Sequence, residues 1–314
     1  MKIFFAFFFI SYVSLAQDTI DVCSFNIQFL GHFKSRDNAM LADVLKSYDL
    51  VAIEEMVAPP IEGVYPDGTP FHKDNESAAF AAEMKKHGFS YWLSTEDTGP
   101  TKNHTPTTAS EWWIVFYKNN IVVPDSNRYF GFISSPLAAN PIFARVPFAF
   151  PFKAVKGSLN FSIVPVHLQP GDSKAEEELR KQELQSLYEW SISQKESNKD
   201  FLILGDFNIY DISEFSAYKD KGFYSLNEKC LSTNSLQYDS PAKGEPYDHV
   251  FYGKNSQKDI VSGSFKIIDL QTELLKLSKN TLHLTPYVHD DFRTLFSDHL
   301  PVKFQLITGR DNDL

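Results

Sequence analysis

Acidic and amide side chains follow an apolar run in the stretch FLILGDFN of this 314-residue chain. The apolar residues 201–204 predict a strand that is buried on both faces. One glycine later come Asp206 and Asn208, two residues apart. An Asx-type turn that closes the strand would explain this polar pair. A site for a metal ion or a phosphate group would explain it as well, because carboxylate and amide oxygens bind hard cations.

The same arrangement recurs at other predicted strand ends, in the stretches SFN, AIEEM, SEWWIVFY, VHLQPGD, YDHVF and SDHLPV. The polar residues at these ends are Asn26, Glu54, Glu55, Glu111, His167, Asp248, His249, Asp298 and His299. Taken singly, each has an ordinary explanation as a cap, a turn residue or a satisfied core residue. If the strand ends gather on one rim, their carboxylates, amides and imidazoles form a hard-metal site with acid and base groups.

The elements that would position these residues alternate in a pattern typical of a layered α/β sandwich. Predicted strands cover residues 19–27, 50–56, 112–118, 143–154, 160–168, 201–206, 247–253 and 300–306. Predicted helices cover residues 35–48, 77–88 and 174–195. Pro147 and Pro165 indicate sheet edges or bulges, because proline cannot donate a ladder hydrogen bond. The loops 59–75 and 94–110 are rich in turn residues and are candidate rims of a site.

The N-terminus has the features of a secretory signal peptide. Residues 1–16, MKIFFAFFFISYVSLA, combine Lys2, an apolar run and a small-residue cleavage site. The apolar run is too short to span a bilayer comfortably. The sequence therefore predicts a signal peptide over 1–16, a single domain over 17–314, and a secreted or periplasmic location.

Charge and cysteine content bear on two further properties. The chain has 30 basic and 40 acidic residues, a net charge of −10. This balance argues against non-specific binding of nucleic acid over the whole surface, although a local groove or a metal-bridged phosphate stays open. Cys23 and Cys230 could form one disulfide in an exported protein. A buried free thiol explains Cys23, within a predicted strand, equally well.

The ordered set of strand-end motifs resembles the endonuclease/exonuclease/phosphatase superfamily, from about residue 20 to 307. Within it the chain is most similar to deoxyribonuclease I, a similarity that SEWWIVFYK and FARVPFAFPFK extend. The resemblance implies a four-layer α/β/β/α sandwich of two mostly antiparallel sheets flanked by helices. It also implies a monomeric, metal-dependent phosphodiesterase without stable membrane association, acting on nucleic acid and specifically DNA. The implied cofactor is Mg²⁺, with Mn²⁺ as an alternative and Ca²⁺ left open.

The resemblance assigns acid and base roles. His299 is the base that takes a proton from water, and Asp248 orients it. His167 is the acid that protonates the leaving oxygen, and Glu111 orients it. A carboxylate behind an imidazole selects its tautomer and stabilises its charged form. His249 is a neighbour of Asp248 without a catalytic role.

The resemblance also assigns the residues around the phosphate. Asp206 and Asn208 hold the water and the scissile phosphate, and Arg145 contacts a phosphate oxygen. Glu54 stands where the family often has Gln, and either adds charge at the rim or supports its neighbour. The implied metal ligands are Glu55, Asn26 and Asp298.

Two departures from deoxyribonuclease I concern its contacts to DNA. An Arg and a Tyr of that family are replaced by Val57 and Ala109. An enzyme of the same superfamily that acts on a lipid or a small phosphate ester is therefore the alternative. A binding protein that retains the fold is a third hypothesis, which the intact set of site residues disfavours. Trp112 and Trp113 are either stacking surfaces for bases or core residues.

Overall fold

The computed structural model describes residues 18–99, 110–133, 142–194, 200–278 and 284–309. The strands in these ranges are Thr19–Leu30 (β1), Leu50–Met56 (β2), Gly63–Val64 (β3), Pro70–Phe71 (β4), Phe89–Leu93 (β5), Trp112–Lys118 (β6), Val122–Pro124 (β7), Gly131–Phe132 (β8), Phe148–Ala154 (β9), Asn160–His167 (β10), Phe201–Asp206 (β11), Phe223–Ser225 (β12), Asp248–Gly253 (β13), Lys266–Ile267 (β14) and Val302–Ile307 (β15). The helices are Asn38–Leu45 (α1), Asn75–Lys86 (α2), Lys174–Ser193 (α3), Ser216–Lys219 (α4), Leu270–Leu277 (α5) and His289–Leu295 (α6). Short 3-10 helices span Ile212–Glu214, Ser235–Tyr238, Pro241–Lys243 and Ser256–Lys258.

Two large sheets carry the site. The first has the strand order β14-β15-β1-β2-β6-β5, and the second has the order β12-β13-β11-β10-β9-β7, with β8 paired to β9. Among the described strands, β1–β2 and β10–β11 are parallel pairs and the others are antiparallel. Two mostly antiparallel sheets were predicted, and the structure confirms them.

Side-chain alternation along β1 divides the apolar residues between two cores. Ile20 and Val22 belong to a core that also contains Phe150 of β9 in the second sheet. Cys23 and Phe25 point to the opposite face, into a core shared with α1, α2 and α5. On the far side of the second sheet, α3 packs against β11, where the rings of Trp190 and Phe201 lie 5.6 Å apart. The order of layers is therefore helix, sheet, sheet, helix, as predicted.

Most predicted elements are present with shifted ends. The strand predicted over 143–154 begins only at Phe148, so Pro147 precedes it. Pro165 lies in the interior strand β10, but the ladder to β9 ends at Ile163, so no bond is lost on that side. The helix predicted over 35–48 begins at Asn38, because the Asp37 side chain accepts the Met40 N–H as a cap.

Three further predictions concern the signal peptide, membrane association and a disulfide. The predicted signal peptide 1–16 lies outside the described residues. No helix among the described ranges is long and apolar enough to cross a membrane. Cys23 and Cys230 are both free thiols, so the disulfide alternative is not realised.

Candidate active site

The end of β2 directs two adjacent glutamates to different places. Glu54 follows the alternation of the strand and is fully buried between the sheets, where Ser24 Oγ donates to it over 3.0 Å. Glu55 has a φ of 59°, and the pairing of β2 to both neighbours is irregular here. Such a left-handed residue at a bulge re-aims a side chain at a cost in backbone strain. Phe29 N–H and Asn26 Nδ2 donate to the Glu55 carboxylate at 3.0 and 2.9 Å.

The glycine of LGDFN has a physical reason. Gly205 has a φ of 133°, and a Cβ there would lie 2.2 Å from the Val166 carbonyl oxygen on β10. Only glycine permits this close approach of β11 to β10. The resulting register pairs Asp206 with His167 on one side and with Asp248 on the other. Three chemistry-bearing residues are thereby aligned across the second sheet.

The two predicted imidazoles converge on one carboxylate oxygen. Nε2 of His167 lies 3.6 Å from Asp206 Oδ2, and Nε2 of His299 lies 3.5 Å from the same atom. Each ring has a carboxylate behind its other nitrogen: His299 Nδ1 is hydrogen-bonded to Asp248 at 2.8 Å, and His167 Nδ1 lies 2.8 Å from Glu111. Both rings therefore present Nε2 to a common space, as acid and base groups on either side of a substrate must.

The surrounding carboxylates favour the charged form of both rings. Burial lowers the pKa of His299, but Asp248 and Asp206 raise it more, so that it lies well above its usual 6.5. The pKa of His167 is also raised, because the attraction of Glu111 and Asp206 outweighs the effects that lower it, of which burial is the largest. An imidazolium at His167 can donate a proton from Nε2, whereas His299 can accept a proton only after its ring has lost its own.

Glu111 connects three parts of the site. Its Oε1 lies 2.8 Å from His167 Nδ1 and 2.5 Å from Arg145 Nε. Its Oε2 accepts the backbone N–H of Glu55 over 3.2 Å. Arg145, predicted to contact a phosphate oxygen, thus also forms a buried ion pair within the protein. The pKa of Glu111 is lowered, because His167 and Arg145 together outweigh burial, the largest effect, which raises it.

A group that could hold a metal ion lies beside the imidazoles. Ligand atoms of Glu55, His167 and Asp206 lie within 4.8 Å of one another, and all three residues are buried. Burial raises the pKa of Glu55, and the nearby Asp298 carboxylate adds to the rise. Asp298 Oδ1 is buried without a hydrogen-bond partner among the described residues. The carboxylate oxygens of Glu55 and Asp206 suit a hard divalent cation, whereas His167 offers an imidazole nitrogen.

Asn26 faces this group with its nitrogen. Its Nδ2 donates to Glu55 and to Asp206 at 2.9 and 3.0 Å, while its Oδ1 accepts the Gln28 N–H at 2.9 Å. The residue that was predicted as a metal ligand therefore bridges two carboxylates in this arrangement. Asn208 has a φ of 50°, and its Nδ2 donates to the Leu168 carbonyl at 3.1 Å.

For several neighbouring residues the sequence left two alternatives open, and their burial now bears on the choice. Glu54 lies fully buried between the sheets and not at the rim, and burial raises its pKa well above the usual value. Trp112 and Trp113 are core residues with 2% and 0% exposure, so neither offers a stacking face to a base. His249, predicted to be a neighbour without a catalytic role, points to the outer face of the sheet, where its Nδ1 lies 2.8 Å from Ser225 Oγ.

Supporting residues missed by the sequence analysis lie directly behind the site. Ser297 Oγ donates to the Asn26 carbonyl at 2.7 Å and accepts the His299 N–H at 2.9 Å. Thr233 Oγ1 accepts the Asp248 N–H at 2.9 Å. Ser297 stands within SDHLPV and could have been found there, whereas no motif marks Thr233.

The two loops predicted as candidate rims are described to different extents. Loop 59–75 forms the β3–β4 hairpin, which borders a cavity of about 200 Å³. The cavity is lined by Val57, Ala58, Pro59, Tyr65, Pro70, Phe71, His72, Asp97 and Trp112. None of these lining residues is a predicted site residue, although Val57 and Trp112 are near neighbours in sequence of Glu55 and Glu111. Of the loop 94–110, residues 100–109 lie outside the described ranges.

Known proteins provide an independent comparison. Residues 23–299 match the model of the Endonuclease/Exonuclease/phosphatase family. The chain shares 14% identity, at a TM-score of 0.57, with an endonuclease/exonuclease/phosphatase family protein from Bacteroides thetaiotaomicron, covering 94% of this chain and 99% of that one. The catalytic domain of human nocturnin with bound sulfate is 14% identical at a TM-score of 0.54, over 93% and 96%. TDP2 from D. rerio, complexed with a single-strand DNA product, is 11% identical at 0.53, over 92% and 99%. Among curated proteins no sequence matches this chain.

Proposed function

Since this chain belongs to the endonuclease/exonuclease/phosphatase family, we propose that it is a secreted, Mg²⁺-dependent nuclease that hydrolyses phosphodiester bonds of DNA. The observation that carries the proposal is the convergence of His167 Nε2 and His299 Nε2 on one oxygen of Asp206. Glu55 lies beside this pair in the group that could hold a cation. In this proposal His167, His299 and Glu55 act on one phosphate group.

His299 is the base in this proposal. In its neutral form, Nε2 takes a proton from a water molecule while the water oxygen forms a new bond to phosphorus. Asp248 keeps the proton of the ring on Nδ1 through the 2.8 Å hydrogen bond, and it stabilises the imidazolium that results. Asp206 Oδ2, 3.5 Å from His299 Nε2, accepts a hydrogen bond from the water and orients it.

His167 is the acid. As the bond from phosphorus to the leaving oxygen breaks, that oxygen keeps the electron pair and receives the proton from Nε2 of His167. Glu111, 2.8 Å from Nδ1, holds the ring in its charged form before the transfer. One water is consumed, and a phosphomonoester and an alcohol are produced, without a covalent enzyme intermediate.

We assign Mg²⁺ to the carboxylate oxygens beside the two imidazoles. Glu55 and Asp206 would hold Mg²⁺, with the Asp298 carboxylate near Glu55, and Asn26 positions the first two carboxylates. When bound, Mg²⁺ neutralises phosphate charge and polarises the phosphoryl group. Mn²⁺ accepts the same oxygen ligands and is expected to substitute.

The phosphate is held by two further residues. Arg145 uses Nε on Glu111, and a guanidinium has further N–H donors that can meet a phosphate oxygen. The Asn208 amide nitrogen has two N–H donors, one of which is engaged by Leu168. We assign the other to the scissile phosphate, which gives Asp206 and Asn208 of LGDFN complementary roles.

The test is incubation of supercoiled plasmid with the purified protein and Mg²⁺, with and without EDTA. The expected result is nicking that EDTA abolishes and Mn²⁺ restores. Parallel reactions with RNA, sphingomyelin vesicles and inositol phosphates separate the substrate classes. Hydrolysis of a lipid or small ester with intact plasmid would replace the nuclease by the alternative branch, and no hydrolysis of any substrate would defeat the enzymatic proposal.

Export and domain organisation are proposed from the sequence alone. We propose that residues 1–16 are removed as a signal peptide and that residues 17–314 form one monomeric domain. N-terminal sequencing of protein recovered from the periplasm or medium should begin at Gln17. Recovery only from the cytoplasm, with Met1 retained, would contradict export.

A further inference from the structure

A fully buried carboxylate on α3 binds two backbone N–H groups near the site. Glu183 has 0% exposure. One of its oxygens accepts the N–H of Ala144 at 2.7 Å, and the other accepts the N–H of Gln169 at 2.6 Å. A carboxylate is an acceptor with two oxygens, so it can satisfy both donors at once. Hydrogen bonds to a charged acceptor are short and strong, which agrees with these distances.

The two bound segments carry residues of the proposed reaction. Ala144 directly precedes Arg145, and Gln169 follows His167 by two positions. Arg145 and His167 meet at Oε1 of Glu111, at 2.5 and 2.8 Å. The backbone segments that deliver these two side chains to one oxygen are thus tied to each other by Glu183.

A second residue of α3 binds the same segment from its carbonyl side. Arg180, one turn earlier, donates to the carbonyls of Gln169 and Gly171 at 3.1 and 2.7 Å. Both the N–H and the C=O of Gln169 are therefore bound by α3. With its two polar groups engaged by one rigid helix, this segment has little freedom to shift the end of β10.

We propose that Glu183 is a positioning residue for the reaction, acting through the backbone to hold His167 and Arg145 on Glu111. The inference rests on the proposed function, in which His167 protonates the leaving oxygen. Without the carboxylate, two buried N–H groups lose their acceptor and the segments must move to satisfy them. A displacement of about 1 Å at the acid would be costly for proton transfer.

The test is Glu183→Gln, assayed at pH 8, above the pKa of about 7 of the carboxyl group. The amide has one acceptor and one donor group, so one of the two N–H groups faces a donor. The two substrates are thymidylyl-thymidine, whose leaving alkoxide needs a proton, and thymidine 5′-(p-nitrophenyl phosphate), whose leaving phenolate does not. We expect kcat on the first to fall about 10- to 100-fold with little change in KM, and kcat on the second to fall less than about threefold.

Two further variants serve as controls. Glu178→Gln removes an exposed charge from the same helix and should match the unmodified protein on both substrates. Glu183→Asp keeps two acceptor oxygens but withdraws them by one methylene, so it should recover part of the lost kcat. It also replaces Glu183→Gln as the test variant if the latter does not fold.

A readout without catalysis separates this inference from the proposed function. The ¹H–¹⁵N signals of the His167 ring should shift in Glu183→Gln and not in Glu178→Gln. If the unmodified protein cleaves neither diester, the proposed nuclease fails and the ring signals decide the inference. Unchanged ring signals in the folded Glu183 variant, or unchanged kcat on both substrates, would overturn it.

Discussion

The Nδ1 atom of His299 lies 2.8 Å from Oδ2 of Asp248, and this hydrogen bond determines which nitrogen of the ring faces the substrate space. Asp248→Asn keeps the size of the side chain, but its amide can donate to Nδ1 and favour the wrong tautomer. We expect kcat for plasmid nicking to fall about 10²- to 10⁴-fold, the range of acid–base contributions.

The control for this variant is Ser225→Ala, which removes the partner of the neighbouring His249 on the outer face of the same sheet. It should stay within about threefold of the unmodified protein. If the Asp248→Asn variant is folded and fully active, His299 needs no orienting carboxylate. The assignment of His299 as the base would then be wrong.

Removal of one carboxylate should separate metal binding from folding. Glu55→Gln leaves acceptors for Phe29 and Asn26 partly intact, but removes the charge that a divalent cation needs. We expect the affinity for Mg²⁺, measured by isothermal titration calorimetry, to fall at least about tenfold.

The same titration on Glu189→Gln, an exposed position of α3, should give unchanged binding. Thermal unfolding without metal should show that Glu55→Gln is as stable as the parent or more stable, because a buried charge near Asp298 is removed. Equal Mg²⁺ affinity in the Glu55 variant and its parent would place the cation elsewhere.

The close approach of Gly205 to β10 predicts that any side chain at this position destabilises the protein by a steric clash, in addition to backbone strain. Gly205→Ala places a Cβ 2.2 Å from the Val166 carbonyl, whereas Gly88→Ala, at a φ of 85°, places one in open space. We expect Gly88→Ala to lower the free energy of unfolding by about 1–2 kcal/mol, the cost of a left-handed alanine. Gly205→Ala should cost clearly more, about 3 kcal/mol or above.

Urea unfolding of both variants measures the difference. Similar losses for the two alanines would mean that β10 and β11 can separate without cost, and that the glycine of LGDFN is required for its φ only.

Much of the candidate site was predictable because its residues stand at strand ends. An apolar run directly precedes or follows each of four site residues, Glu55, His167, Asp206 and His299. The local sequence therefore predicts both the strand and the position of the residue at its end. The parallel pairing of β10 with β11 then brings His167 and Asp206 side by side. Local patterns and chain order therefore carried most of the information about the site.

The contacts between remote segments were not predictable in the same way. The pairing of Arg145 with Glu111 depends on how the segment before β9 enters the sheet, and the prediction had that strand begin five residues too early. Glu183 shares a helix face with the buried Leu184 and Leu187, so its burial was a readable signal. Its two N–H partners lie 39 and 14 residues away, and no period in the sequence identifies them.

The buried carboxyl group of Glu183 should make stability depend on pH. Burial raises its pKa from 4.5 to about 7, although the two N–H groups and the nearby Arg145 and His167 lower it in part. In the unfolded chain this group loses its proton near pH 4.5, while the folded protein keeps it until about pH 7. The folded state binds more protons between these values, so the stabilisation is complete below pH 4.5 and is lost as pH rises through 7.

A pKa shift of this size corresponds to about 3 kcal/mol in the free energy of unfolding. Glu183→Gln cannot titrate, and subtracting its free energy of unfolding from that of the unmodified protein cancels the other groups, including His167, to first order. We expect urea unfolding to show that this difference decreases by about 3 kcal/mol from pH 4 to pH 8, because the unmodified protein loses stability relative to the variant. A difference that is constant or rises with pH would show that Glu183 stays ionised when folded, held by its hydrogen bonds to Ala144 and Gln169 more strongly than burial disfavours its charge.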